Sequence, residues 1–177
     1  MTSRRLARAS ATIVVVVLAA LLAAPGFAAA AVPQKLTQQL TDPGHVLGDS
    51  TAEVQAALDD LRTKKDVDLY VVLVPSFDHG GTPDWAERTA QVSGLRSSQV
   101  VFAVAVDSGQ YEWWVDDASS LDATSLQSFI TRSVEPRLAA NEWAAGLSSL
   151  VTGLEQTRRV QPDAVAQAAG GHRLIPL

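Results

Sequence analysis

Two largely apolar runs constrain the fold of this chain more than any other feature of its sequence. They are Val67–Val74, which reads VDLYVVLV, and Val100–Val106, which reads VVFAVAV. Alternation of apolar and polar residues is absent after Tyr70, which is typical of strands covered on both faces. A helical pattern lies between the two runs, so the segment predicts a strand, a helix and a second strand joined by a right-handed parallel crossover.

The remaining elements add a third strand and several helices. Tyr111–Val115 alternates and follows a tight turn, so we expect a hairpin with 100–106 that makes the sheet mixed. Residues 51–65 form an amphipathic pattern, and Ser50 and Glu53 fit a capping box at its start. Three more helices are predicted to begin at caps formed by Thr82, Asp122 and Asn141. The predicted fold class is α/β, with a small mixed β-sheet flanked by helices on both faces.

The N-terminus has the composition of an export signal. Arg4, Arg5 and Arg8 precede an uncharged stretch of about 16 residues, and a run of four alanines, Ala28–Ala31, follows Gly26. A membrane-spanning helix needs about 20 apolar residues, so a cleaved signal is favoured over an uncleaved anchor. We therefore predict a signal peptide over 1–31 with cleavage after Ala30 or Ala31, a domain over 32–158 and a flexible tail over 159–177. The predicted localisation is secreted or extracytoplasmic, in the cell envelope.

Charge and cysteine content exclude several classes of function. Removing the three leader arginines leaves 11 basic against 19 acidic groups, a net charge of −8. Proteins that bind nucleic acid need a concentrated patch of basic residues, so nucleic acid is not expected among the partners of this chain. The chain has no cysteine, which excludes disulfides, thiol nucleophiles and thiolate zinc sites. Membrane contact is expected only through an uncleaved signal.

The order of these features resembles the TPM domain family over about residues 40–157. The matching segments are Thr41–Leu47, Val67–Asp78, Asp84–Ala86, Val100–Val115 and Val134–Trp143. The resemblance, closest to actinobacterial secreted members, implies an α/β/α sandwich outside the cytoplasm. It also implies two activities found among relatives, calcium binding and acid phosphatase activity. Longer relatives continue into a transmembrane helix and a coiled coil; since the sequence stops near residue 177, we do not expect membrane anchoring of that kind.

Carboxylates follow the predicted parallel strands, at the sheet edge where open α/β sheets bind ligands. Asp78 and Asp107 come after the two apolar runs, and Asp42 lies in an early turn that could join them. Three carboxylates suit a hard cation such as Ca²⁺, and Ser76 could add a contact to a ligand. The alternative is that these aspartates only stabilise turns, a common role of Asp.

Catalysis finds little support in the sequence. His79 follows Ser76 closely, but neighbours on one loop rarely adopt the geometry of a nucleophile and its base. The chain contains no nucleophile elbow, zinc-protease motif or phosphate-binding glycine loop. No catalytic residue is therefore assigned.

A pair of adjacent tryptophans, Trp113 and Trp114, lies on the third strand. Neighbours on a strand point to opposite faces, so Trp114 could anchor a partner if this strand is at the sheet edge. The alternative is that both pack under helices. The expected function is a secreted, non-enzymatic module of the cell envelope that binds a partner protein and a divalent cation such as Ca²⁺. The alternative is a metal-dependent phosphatase acting on phosphomonoesters.

Overall fold

The computed structural model describes residues 30–78 and 84–157, which form an α/β/α sandwich. The four strands are β1 (Leu40–Thr41), β2 (Asp68–Val74), β3 (Gln99–Ala105) and β4 (Gln110–Val115). The helices are α1 (Thr51–Lys65), α2 (Trp85–Ser93), α3 (Ala123–Phe129), α4 (Glu135–Ala139) and α5 (Trp143–Gln156). A 3₁₀ turn, Gly48–Ser50, leads into α1, and a π-helical turn, Ile130–Val134, joins α3 to α4.

The sheet is mixed and has the strand order β1-β2-β3-β4. The first three strands are parallel, and β4 is antiparallel to β3. Pairing of β2 with β3 runs without interruption from Asp68 and Gln99 to Val74 and Ala105. The two apolar runs are therefore the inner strands, and their lack of alternation follows from burial on both faces.

Two separate hydrophobic clusters cover the two faces of the sheet. The first joins Leu69, Val71 and Leu73 to buried residues of α1 and of the helices from α3 to α5. The second joins Val72 and Val74 to α2, and includes Leu36 from the segment that precedes β1. The apolar surface of each face is therefore removed from water by a different set of elements.

The connections β1–α1–β2 and β2–α2–β3 have opposite hands. Both step in the same direction across the sheet, yet α1 packs in the first cluster and α2 in the second. Helices on opposite faces require crossovers of opposite sense. Only one of the two connections can therefore follow the right-handed rule that we applied to the second.

Three predicted helix caps differ from the structure. Ser50 precedes α1 but makes no side-chain cap, and the Thr51 hydroxyl instead donates to the Gly48 carbonyl (2.7 Å), so the predicted capping box is absent. Asp84, rather than Thr82, caps α2 by accepting the Glu87 N–H (3.0 Å). The predicted cap Thr82 lies outside the described residues.

The third difference is at α5, which begins after Glu142 rather than after the predicted cap Asn141. Asn141 instead has φ 59°, a left-handed conformation that Asn adopts more readily than most residues. It reverses the chain after α4, where its N–H donates to the Leu138 carbonyl (3.0 Å). The predicted caps were chosen from residue type alone, and the path of the chain decided these roles. Asp122 does cap α3 as predicted.

Candidate functional site

The carboxyl ends of β1, β2 and β3 bring three loops to one edge of the sheet. Asp42 follows β1, the segment Pro75–Asp78 follows β2, and the turn that contains Asp107 follows β3. This is the edge at which open α/β sheets bind ligands, as the sequence predicts. The three aspartates have different surroundings, which decide what each can do.

Asp42 is committed to the local backbone. Its Oδ1 accepts the Val46 N–H (2.9 Å) and its Oδ2 accepts the Leu47 N–H (3.0 Å). The half-buried carboxylate thus holds the turn that leads from β1 to α1. Both carboxylate oxygens are used, as the turn-stabilising alternative expects.

The segment after β2 pairs with the start of the domain. Ala31 donates its N–H to the Ser76 carbonyl (2.8 Å), and its own carbonyl accepts the Asp78 N–H (3.0 Å). The Asp78 carbonyl also accepts a hydrogen bond from Arg88 Nη2 (2.5 Å). The backbone of Ser76 and Asp78 is therefore fixed. Both side chains are half-buried, and His79 lies outside the described residues.

Asp107 lies in the exposed turn between β3 and β4. Its N–H donates to the Pro75 carbonyl (3.1 Å), which ties the turn to the segment after β2. Over residues 30–78 and 84–157, the His, Asp and Glu side chains form no group of three that could hold a metal ion. The structure thus places Asp42, Asp78 and Asp107 at one edge but does not gather their carboxylates into such a group.

A groove of about 410 Å³ opens beside this edge, at the start of β4. The Tyr111 hydroxyl in it donates to Glu135 Oε2 (3.3 Å). Burial, and then the neighbouring Glu135 carboxylate, raise the pKa of Tyr111 above its ordinary value. Both causes disfavour the phenolate, so this tyrosine stays a neutral hydrogen-bond donor at physiological pH.

Glu112 links the groove to α2, because its Oε2 accepts the Ala86 N–H (3.0 Å) in the first turn of that helix. A carboxylate is well placed there, since the N-terminal end of a helix is electropositive. Sequence reasoning did not single out Glu112 or Glu135. The alternation of β4 is a signal from which the face of Glu112 could have been found, but no local pattern shows that Glu135 lies beside Tyr111.

Trp113 and Trp114 pack on opposite faces of the sheet, and both stay partly exposed. Trp113 lies against the first hydrophobic cluster and donates its Nε1 proton to Gln127 Oε1 (2.8 Å). Trp114 lies against the second cluster. Their strand is the outermost one on its side of the described sheet, so both tryptophans lie at a sheet edge.

None of the described helices is long and apolar enough to cross a membrane. The predicted signal lies almost entirely in residues 1–29, outside the described residues. Its last residue, Ala31, is the residue that pairs with the segment after β2. The proposed boundaries at 31 and 158 remain predictions.

Curated relatives come from Mycobacterium tuberculosis. UPF0603 protein MT2410 (strain CDC 1551 / Oshkosh) and UPF0603 protein Rv2345 (strain ATCC 25618 / H37Rv) are each 28% identical to this chain over 155 residues. The match covers 86% of this chain but only 23% of either relative. This chain therefore spans about a quarter of the length of these relatives.

Solved structures share the fold. The N-terminal domain of the cg2496 protein from Corynebacterium glutamicum has a TM-score of 0.58 at 19% identity, covering 83% of this chain and 93% of that one. The N-terminal domain of a protein from P. gingivalis has the same TM-score and identity, covering 78% and 89%. The profile of the TPM domain matches residues 40–157, from β1 to the end of α5. This chain therefore belongs to the TPM domain family.

Proposed function

We propose that this chain is a secreted module of the cell envelope that binds a partner protein through the outer edge of β4. The observation that carries the proposal is the exposure of β4. Every residue of this strand is at least partly exposed, whereas six of the seven residues of β3 beside it are buried. Among residues 30–78 and 84–157 no other strand pairs with the outer edge of β4, and an edge strand of this kind can pair with an extended segment of another chain.

Aromatic side chains strengthen this reading of the edge. Tyr111, Trp113 and Trp114 are each partly buried, so each has one part packed on the core and another part in contact with solvent. Aromatic residues of this kind are enriched among the anchors of protein interfaces. Their packed parts also hold them in fixed positions, which lowers the entropy lost on binding.

Site-specific photo-crosslinking tests the proposal. A photoreactive residue in place of Gln110, which is exposed at the start of β4, should give a discrete protein adduct in the envelope fraction of the source organism. The same residue in place of Val92, which is 54% exposed on α2, should not. Trp114→Ala should reduce the adduct at 110 while the protein stays folded by circular dichroism. Equal labelling from positions 110 and 92 would count against a specific contact at β4.

A divalent cation such as Ca²⁺ is a second component of the proposal. Asp78 supports it best, because it follows β2 at the edge where open α/β sheets bind ligands. Its carboxylate, unlike that of Asp42, is not committed to a turn of the described backbone. An ion that binds only the folded state should raise the melting temperature. We expect Asp78→Asn to abolish a Ca²⁺-dependent rise that Asp59→Asn, at an exposed site within α1, preserves. No rise at millimolar Ca²⁺ would remove this component.

The phosphatase alternative has a direct test of its own. The mature chain, incubated with a generic phosphomonoester and Mg²⁺ or Ca²⁺, should show no turnover if it acts only by binding. Metal-dependent turnover that Asp78→Asn abolishes would overturn the non-enzymatic proposal.

A further inference from the structure

We infer that the partner supplies a basic, extended segment that pairs with β4 as a fifth strand of the sheet. The inference rests on the proposed function and specifies the chemistry of the partner. It depends on three observations: an edge that is open to pairing, a one-sided distribution of charge, and aromatic side chains on both faces of the edge.

The edge of β4 lacks most of the features by which proteins block pairing, and its one charged side chain, Glu112, is bonded to the start of α2. The strand has six residues and contains neither proline nor lysine. Its register with β3 is continuous from Gln110 to Val115, so no bulge bends it away. Edge strands are commonly protected by such features, or by being very short. The opposite edge has that protection, because β1 contains only two residues.

The chain segment that contains β4, residues 97–131, carries only acidic charge. Between Arg96 and Arg132 the sequence contains no lysine or arginine, and it contains five carboxylates, at positions 107, 112, 116, 117 and 122. Asp107 and Asp117 are exposed at the two ends of the strand. Because nearby charges of one sign add to a local potential, this edge attracts cationic groups.

The same charge argues against a second copy of this chain as the occupant. Pairing two β4 strands would bring the carboxylates around one edge close to those around the other. Like charges on neighbouring strands destabilise a pair, whereas opposite charges stabilise it. A paired segment that carries lysine or arginine would therefore be stabilised by these carboxylates, whereas a second copy of β4 would be destabilised by them.

Aromatic side chains would contact the incoming strand on both faces. Tyr111 and Trp113 lie on one face of β4, and Trp114 lies on the other. The apolar stem of a lysine or arginine can cover an aromatic ring while its charge stays near a carboxylate. Strand addition thus uses the backbone for affinity and these side chains for selection.

The test measures binding of three short synthetic peptides to the full mature chain by fluorescence anisotropy. The first alternates lysine and valine, the second replaces lysine with glutamate, and the third is the first with alternate backbone nitrogens methylated. We expect the first to bind, the second not to bind, and the third to bind at least tenfold more weakly, because methylation removes strand hydrogen bonds but keeps the charge. Binding should weaken as salt is added, since exposed charges are screened.

Hydrogen exchange and two variants locate the contact. The lysine peptide should slow amide exchange in Gln110–Val115. Asp117→Asn should weaken its binding about two- to fivefold, as expected for one exposed charge pair, and Asp49→Asn should leave it unchanged. Equal binding of the methylated peptide, or no protection of β4, would overturn strand addition. If either of these outcomes occurs but a crosslinked adduct still forms at position 110, the proposed function stands and only the pairing of a basic strand is refuted.

Discussion

Removal of one residue, Ala31, should measurably destabilise the domain. The comparison is between a chain that begins at Ala31 and one that begins at Val32, the two products of the predicted cleavage sites. Three hydrogen bonds depend on the backbone of Ala31. Its N–H donates to the Ser76 carbonyl, and its carbonyl accepts both the Asp78 N–H and the indole Nε1 proton of Trp85 (2.6 Å).

The indole contributes most of the expected loss. Trp85 is only 1% exposed and packs against Phe77 with ring centroids 5.3 Å apart, so its Nε1 proton has little access to water. A buried donor left without an acceptor costs about 1–3 kcal/mol. Two backbone bonds at a partly exposed site add about 1 kcal/mol together. The free energy of unfolding should fall by about 2–4 kcal/mol, and the melting temperature by about 6–16 °C.

Urea denaturation and calorimetry of the two chains measure this difference. Ala31→Gly in the longer chain is the matched control, because it keeps the backbone groups that make all three bonds. In a Trp85→Phe background the same truncation should cost only about 1 kcal/mol, since no indole donor is left unpaired. Equal stability of the two chains in the wild-type background would refute the reasoning. It would mean that the Ala31 bonds contribute nothing.

Three further predictions test the packing, the turn and the electrostatics of the domain. Gly153→Ala should lower the free energy of unfolding by about 1 kcal/mol despite the better helix propensity of alanine, because the new Cβ would lie 2.7 Å from Cε1 of Phe129 and closer still to Cδ1. In a Phe129→Ala background the same substitution should stabilise the domain instead. Chemical denaturation of both pairs of variants measures this reversal. Asp42→Ala should cost about 1–2 kcal/mol in the same assay, because two backbone donors lose their acceptor. The raised pKa of Tyr111 implies a contribution to stability that is present below the ordinary tyrosine pKa and lost as the pH rises through the folded-state pKa. Glu135→Gln should lower that pKa, as an absorbance titration of the phenolate would show; an unchanged titration would mean that burial alone sets it.

Much of the fold could be predicted because burial leaves a direct trace in the sequence. The two apolar runs became the inner parallel strands β2 and β3, and the alternating segment became the edge strand β4. Helix α1 was predicted with its bounds, 51–65, because its apolar spacing and its basic last turn are local signals. The predicted caps at Ser50, Thr82 and Asn141 were wrong because the path of the chain decides the role of each residue: Asp84 caps α2, and Asn141 adopts a left-handed conformation before α5.

The candidate site was predictable only in part. Topology placed Asp78 and Asp107 at one edge, because the carboxyl ends of parallel strands meet there. The short strand β1, which brings Asp42 to the same edge, was not predicted. Their roles depend on distances that a sequence does not contain. Asp42 is committed to its turn, and no group of three acidic or histidine side chains suited to a metal forms in the described residues.

The sequence by itself determined which segments are buried, how the strands run and how charge is distributed, because burial, periodicity and charge are properties of neighbouring residues. Only the tertiary structure decided that Glu135 lies beside Tyr111, that Glu112 supports the start of α2, and that Ala31 accepts the Trp85 proton. These contacts join residues 24, 26 and 54 positions apart. Such pairs form only when the sheet and its helices have packed, since nothing in the local chain brings them together.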